Sequence, residues 1–295
     1  MKEQNIYSGI ITALITPFKE GKIDYNSLEK LINFQIESGI EKLVIAGSTG
    51  EGSSLNEEDY YDLIKGANQL AEKKVGIIAG VTAVSTDYAI SKVKKLGKLD
   101  IDGIMVTIPH YIRPEQNGIL AHFKAVNDVT DLPLIAYIHP GRTGVDLSDE
   151  SIIRLSELKQ IIALKDAGGN VDRALRLSSK LPSWFNMLTG DDANTLAYSA
   201  NGGRGCISVA ANILPAECLQ LQRYLELGNY SKALILQQSL LPLYKAIFAE
   251  SNPIGVKYAA HLLGLCEEEI KLPLTIASAT TKIVIRKVLE EYERI

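Results

Sequence analysis

At 295 residues, 46% hydrophobic and 22% charged, the chain has the composition of a folded globular protein rather than a disordered or fibrous one. Its formal net charge of −4, with acids and bases interspersed and no basic stripe, argues against a nucleic-acid partner. No apolar run approaches the ~20 residues that cross a bilayer, and the opening MKEQNIYSGI has no signal-peptide pattern, so the expected setting is cytoplasmic and off the membrane.

In chain order, the first element is the β-rich run IITALITPF (10–18). The stretch DYNSLEKLINFQIESG (24–39) follows, with Leu28, Leu31, Ile32 and Ile36 at helical spacing and Gly39 as its stop. A second run, KLVIAG (42–47), leads into GSTGE (47–51), and Asn56 then offers an N-cap with acids in the first turn behind it. VGIIAGV (75–81) is the third run, and GIMVTI (103–108) the fourth, entering PHYIRP (109–114). PLIAYIH (133–139) carries Tyr137 and ends in HPGRTG (139–144), after which Ser148 offers another cap. IIALKD (161–166) carries Lys165, NMLTGD (186–191) ends in TGDD (189–192), and GCISVA (205–210) is the eighth run. Further helical segments follow the third, fourth, sixth and seventh runs. Four more occupy 215–228, 230–250, 252–265 and 275–295.

Most of these runs are continuously apolar, as parallel strands covered on both faces are. Eight strand–helix units in a row predict a closed (β/α)₈ TIM barrel over residues 1–225. Residues 226–295 read as a C-terminal helical extension packed on it, since no Gly/Ser-rich linker precedes them. An open doubly wound sheet is the alternative, but no GxGxxG or GxxxxGK[ST] spacing accompanies it. Cys206, Cys218 and Cys266 form no CxxC pair and read as buried reduced thiols. The four histidines have no HxxxH or HExxH spacing, so no metal site is expected.

In such a barrel chemistry sits at the C-terminal ends of the strands, where this chain places its unusual residues. Lys165 closes an apolar run. A strand-end lysine can snorkel to water, but at a barrel mouth an inward amine serves as a nucleophile, forming a Schiff base with a carbonyl substrate. An ordinary lysine is only about one part in 2,500 unprotonated at pH 7, so a nucleophilic one carries an energetic cost that use must justify. Tyr137, one strand over, is either a core tyrosine or a proton carrier. Ser48 and Thr49 either cap the next turn or, between glycines, approach a ligand carboxylate. Arg142, on a Gly-bracketed loop, is a surface residue or the fork for a second carboxylate. Asp191 and Asp192 read as helix caps.

Taken together, ITALITPF, GSTGE, YIRP, GRTG, LKDAGGN, TGDDA, GCISVAAN and ESNPIGVKYAAHLLGL resemble the dihydrodipicolinate synthase / N-acetylneuraminate lyase family of class I aldolase-type barrels over almost the whole chain. GRTG and the NPI.VKYA pattern are closer to the synthase branch. The resemblance implies that Lys165 forms the imine with pyruvate and that Thr49 and nearby amides hold its carboxylate. It implies that Tyr137 relays protons with Ser48 and with Tyr111, the latter reaching in from a neighbouring subunit. Arg142 would bind the carboxylate of L-aspartate-β-semialdehyde, while Gly190 and Ile207 line the pyruvate pocket. No metal or organic cofactor is implied, and the assembly would be a homo-oligomer, a tetramer built as a dimer of dimers. A keto-sugar or sialic acid lyase is the alternative activity, and a catalytically silent keto-acid-binding barrel is a remote one.

Departures from the family pattern are Ser48 for threonine, YIHP (137–140) for the commoner Tyr-Asn-Val-Pro, and His110 for a tyrosine. At the positions matching the family's lysine-binding histidine and glutamate stand Tyr60 and Tyr88, with Val84 replacing an amide. Weak or absent inhibition by lysine is therefore expected, because a phenol cannot neutralise an ammonium.

Overall fold

Each of the eight apolar runs forms a strand in the computed structural model, which describes residues 7–292. Residues 1–6, in the opening stretch, and 293–295, at the end of the last predicted helix, lie outside the described part. The barrel strands are β1 (Gly9–Ala13), β4 (Lys42–Ile45), β5 (Gly76–Val81), β6 (Gly103–Thr107), β7 (Leu134–Ile138), β8 (Ile161–Asp166), β9 (Asn186–Thr189) and β10 (Gly205–Ser208). They close in the order β1-β10-β9-β8-β7-β6-β5-β4, which excludes the open sheet. The fold is therefore a (β/α)₈ TIM barrel with helices beyond the eighth strand. Among the described residues no helix is long and apolar enough to cross a membrane.

The first run is shorter as a strand than as a pattern. β1 stops at Ala13, and Phe18 belongs instead to a hairpin of β2 (Phe18–Lys19) and β3 (Lys22–Ile23). Glu20 and Gly21 both have positive φ, 53° and 77°, the backbone of a two-residue type I′ turn whose twist matches the strands it joins.

The helices are α1 (Tyr25–Ser38), α2 (Glu57–Ala71), α3 (Thr86–Leu96), α4 (Gln116–Asn127), α5 (Pro140–Thr143), α6 (Asp149–Ser156), α7 (Arg173–Leu177), α8 (Thr195–Ala200), α9 (Pro215–Glu226), α10 (Tyr230–Ile247), α11 (Ile254–Leu262) and α12 (Ala279–Glu291). The expected caps are in place. Asn56 accepts from the amide of Asp59, Ser148 from that of Ser151, and Gly39 ends α1 in the left-handed region. Asp191 caps a 3₁₀ turn over Asp192–Asn194, while Asp192 is buried within it.

Two sets of segments each hold together by their own contacts. In the one spanning Ile78–Ile207 with the chain up to Ile11, β6 to β9 pair in parallel, with one register shift between Leu134 and Ile135, and Tyr7 donates to the carbonyl of Asp102. In the other, Thr12–Ile77 with Ser208–Ile295, two buried amides do the joining. Gln35 accepts from the Thr12 hydroxyl at 2.7 Å and donates to the Ala211 carbonyl at 2.9 Å. Asn212 accepts from the Ile15 amide and donates to the carbonyls of Ala13 and Val209. Buried backbone polar groups need such partners where a strand ends. The helices α9, α10, α11 and α12 pack on one another in this second set. All three cysteines are buried thiols outside any disulfide.

Candidate active site

Strand β8 is buried along its whole length, and its last two residues are both ionisable. Alternation sends their side chains to opposite faces. Asp166 turns toward the helices: it accepts from Arg173 at 3.0 Å, from the Tyr198 hydroxyl at 3.3 Å and from the Gly168 amide at 2.8 Å. Arg173 also pairs with Asp146 at 2.5 Å. Burial raises the Asp166 carboxyl above the usual range, against the pull of Arg173. Lys165 therefore turns the other way, to the barrel interior, and is only 3% exposed.

Its immediate neighbour there is Tyr137. The two residues are paired in register across β7 and β8, and the Lys165 Nζ lies 4.3 Å from the centre of the Tyr137 ring. Among the described residues no carboxylate forms an ion pair or hydrogen bond with that Nζ. Gly190, after β9, makes room for the side chain: a Cβ there would stand 2.9 Å from Lys165 Cε and 2.8 Å from Ala167 Cβ. Ile207, on β10, is fully buried. Arg142 is exposed on α5, the short turn that follows β7. Tyr111, in the loop after β6, is 91% exposed with φ of 74°, so its own chain provides it no pocket.

Ser48 and Thr49 belong to the tight loop after β4. Thr49 is buried and accepts from Asn252 Nδ2 at 2.9 Å, while Thr16 donates to the Gly50 carbonyl at 2.6 Å. Here Gly50 and Gly52 serve the loop's own folding. A Cβ on Gly50 would stand 2.9 Å from the Leu14 carbonyl oxygen, and one on Gly52 would collide with that of Ala46. Glu51, with φ of 54°, forms a fully buried ion pair with Lys257 of α11, and its other oxygen accepts from the Lys271 amide at 2.8 Å. The ammonium also faces the Phe18 ring at 4.4 Å. Removing either partner would strand a buried charge, a loss of roughly 3–5 kcal/mol.

Glu51 and Lys257 lie within the sequence motifs, which by themselves assign them no task. A lysine inside the apolar helix IGVKYAAHL was the available signal. Asn252, Arg173 and Tyr198 had no such signal, since each is an ordinary polar or aromatic residue until the fold brings its partner to it.

The arrangement on β7 and β8 suits imine chemistry: a buried primary amine, a phenol beside it, and a glycine clearing space at the amine's stem. The model of the dihydrodipicolinate synthetase family matches residues 6–292. The 4-hydroxy-tetrahydrodipicolinate synthase of Rickettsia bellii is 47% identical over 285 residues, covering 97% of this chain and 97% of that protein. Among solved structures, the dihydrodipicolinate synthase of Thermotoga maritima superposes with a TM-score of 0.96 at 35% identity, over 98% of this chain and 100% of that one. The chloride-inhibited dihydrodipicolinate synthase of Acinetobacter baumannii complexed with pyruvate gives 0.94 at 38% identity, over 98% of this chain and 99% of that one. With a full-length family match and relatives this similar, the chain belongs to the dihydrodipicolinate synthetase family.

Proposed function

We propose that this protein condenses pyruvate with L-aspartate-β-semialdehyde, through a Schiff base on Lys165, to give 4-hydroxy-tetrahydrodipicolinate. The observation that carries the reading is the Lys165 amine, buried against the Tyr137 ring with no carboxylate partner among the described residues. The names of the curated relatives support the same reaction.

In this reading the Lys165 Nζ adds to the pyruvate carbonyl and water leaves, giving an imine. The protonated imine is an electron sink, so a methyl proton departs and the enamine carbon becomes nucleophilic. That carbon attacks the semialdehyde carbonyl, whose oxygen takes the electron pair and then a proton. The semialdehyde's amine next displaces the lysine, closing the ring. Tyr137, with Ser48 and with Tyr111 of a neighbouring subunit, carries the protons. Thr49 and nearby amides hold the pyruvate carboxylate, Arg142 that of the semialdehyde, and Gly190 and Ile207 shape the pocket. The chemistry requires no metal or organic cofactor. The assembly is a homotetramer working in the cytoplasm, each barrel (1–225) carrying its extension (226–295).

Borohydride reduction in the presence of pyruvate tests the central step. The adduct should map to Lys165 by peptide mass, and Lys165→Ala should abolish it. An adduct on another lysine, or none, overturns the reading. Parallel turnover with aspartate semialdehyde and with N-acetylneuraminate separates the synthase from the lyase alternative.

Regulation by lysine should be weak. Tyr60 is buried, and Tyr88 and Val84 are 43% and 54% exposed, so the positions matching the family's lysine site hold no carboxylate. Half-inhibition by micromolar lysine in a steady-state assay would remove this part of the proposal.

A further inference from the structure

The roles assigned above leave His139 without a task. It follows β7 two residues after Tyr137, and its ring centre lies 6.1 Å from that of Tyr137, the planes inclined by 63°. The ring packs over Gly141: a Cβ there would stand 3.3 Å from His139 Cε1 and 3.5 Å from Nδ1. The turn that carries Arg142 is built on the same residue, whose carbonyl accepts from the amides of Arg142 at 2.8 Å and Thr143 at 3.0 Å.

His139 Nδ1 is buried without a well-formed hydrogen bond, although the ring also reaches the residue's own backbone. A buried polar nitrogen left so is destabilising, and a ligand group is one way to satisfy it. Burial, then the positive charges of Arg142 and Lys165, bring the imidazole down to about 4, so near pH 7 it is neutral, with one N–H and one lone pair. The ring sits beside Tyr137, the phenol that flanks the amine assigned to pyruvate, and the residue's carbonyl anchors the turn that carries the guanidinium assigned to the acceptor's carboxylate.

We propose that His139 is a specificity residue that touches the second substrate: its imidazole N–H hydrogen-bonds the carbonyl oxygen of an aldehyde acceptor whose carboxylate is held by Arg142. The inference rests on the imine reading of Lys165. As the enamine carbon attacks, one carbon–carbon bond forms and the carbonyl π bond breaks. Its electron pair goes to the oxygen facing His139. The proton that completes the hydroxyl comes from the Tyr137 relay, and the imidazole keeps its own. A hydrogen bond aimed at that oxygen strengthens as charge develops there.

Two variants test this, His139→Val, which removes both nitrogens, and His139→Gln, which keeps an N–H donor. Each is assayed for borohydride trapping of pyruvate and for steady-state kinetics in both substrates. His139→Val should trap pyruvate and keep its pyruvate KM as the wild type does, while kcat/KM for the semialdehyde falls about tenfold, the loss expected for one neutral hydrogen bond. His139→Gln should recover most of that loss. A His139→Val enzyme within twofold of wild type for the semialdehyde overturns the proposal, as does a variant that loses pyruvate trapping in equal measure. A wild-type chain that forms no pyruvate adduct overturns the imine reading and this inference with it.

Discussion

A phenol 4.3 Å from an amine, measured from ring centre to Nζ, can steer that amine as a wall or serve it as a proton carrier. Tyr137→Phe separates the two, since the ring stays and only the hydroxyl goes. We expect kcat to fall by about 10²–10⁴-fold, the range for a lost general acid–base group. Pyruvate should still be trapped on Lys165 once the longer reaction time is allowed. A fall below threefold in kcat would reduce Tyr137 to a wall. The neighbouring residue Gly190 shows how the amine's position depends on absence: a methyl group there would meet Lys165 Cε at 2.9 Å. In the sequence it is one more glycine in TGDD, legible through the family resemblance and through nothing in its own spacing.

Elements carry their own titrating group in His122. On α4 it is 3% exposed, with Nδ1 3.1 Å from the Thr86 hydroxyl on α3, Nε2 buried and the Thr107 backbone beside the ring. Burial pushes the imidazole down to about 4. In the unfolded chain the same ring titrates near ~6.5, so between these values the unfolded state binds more protons. Stability is therefore full above about 6.5 and falls as pH drops toward 4, by about 2 kcal/mol at pH 5. Denaturant midpoints at pH 7 and pH 5 check this: the wild type should lose more than His122→Gln. Equal losses in both would place the acid sensitivity elsewhere. The caps at Asn56, Ser148 and Gly39 were legible because a helix end depends on residues within one turn. The hairpin at 18–23 was not, because its two strands are two residues each, too short for any periodicity to show.

For the whole molecule, the exposed Tyr111 bears on the proposed assembly. Its positive φ and that of Arg113, 48°, set a loop whose Arg113 Nε donates to the Gly144 carbonyl at 3.2 Å. If Tyr111 acts across subunits, inactive Lys165→Ala chains and impaired Tyr111→Phe chains should complement each other. Some mixed oligomers would then hold one site with both native residues. Co-refolding the two variants and assaying turnover checks it. Activity no greater than the sum of the separate variants would confine Tyr111 to its own barrel.

What the sequence by itself determined was the alternation of eight strands with helices, the helix ends and the presence of a lysine near the close of an apolar strand. Each of these follows from periodicity or residue type within a short window. Tertiary structure alone decided which way each side chain faces and what it meets. Lys165 and Asp166 are adjacent, yet one faces Tyr137 and the other Arg173, because the pleat turns neighbours apart. Glu51 and Lys257 are 206 positions apart and meet in a buried ion pair that no local pattern encodes. His139 was only a departure from a motif until the fold set its ring between a phenol and a glycine and left one nitrogen without a well-formed hydrogen bond.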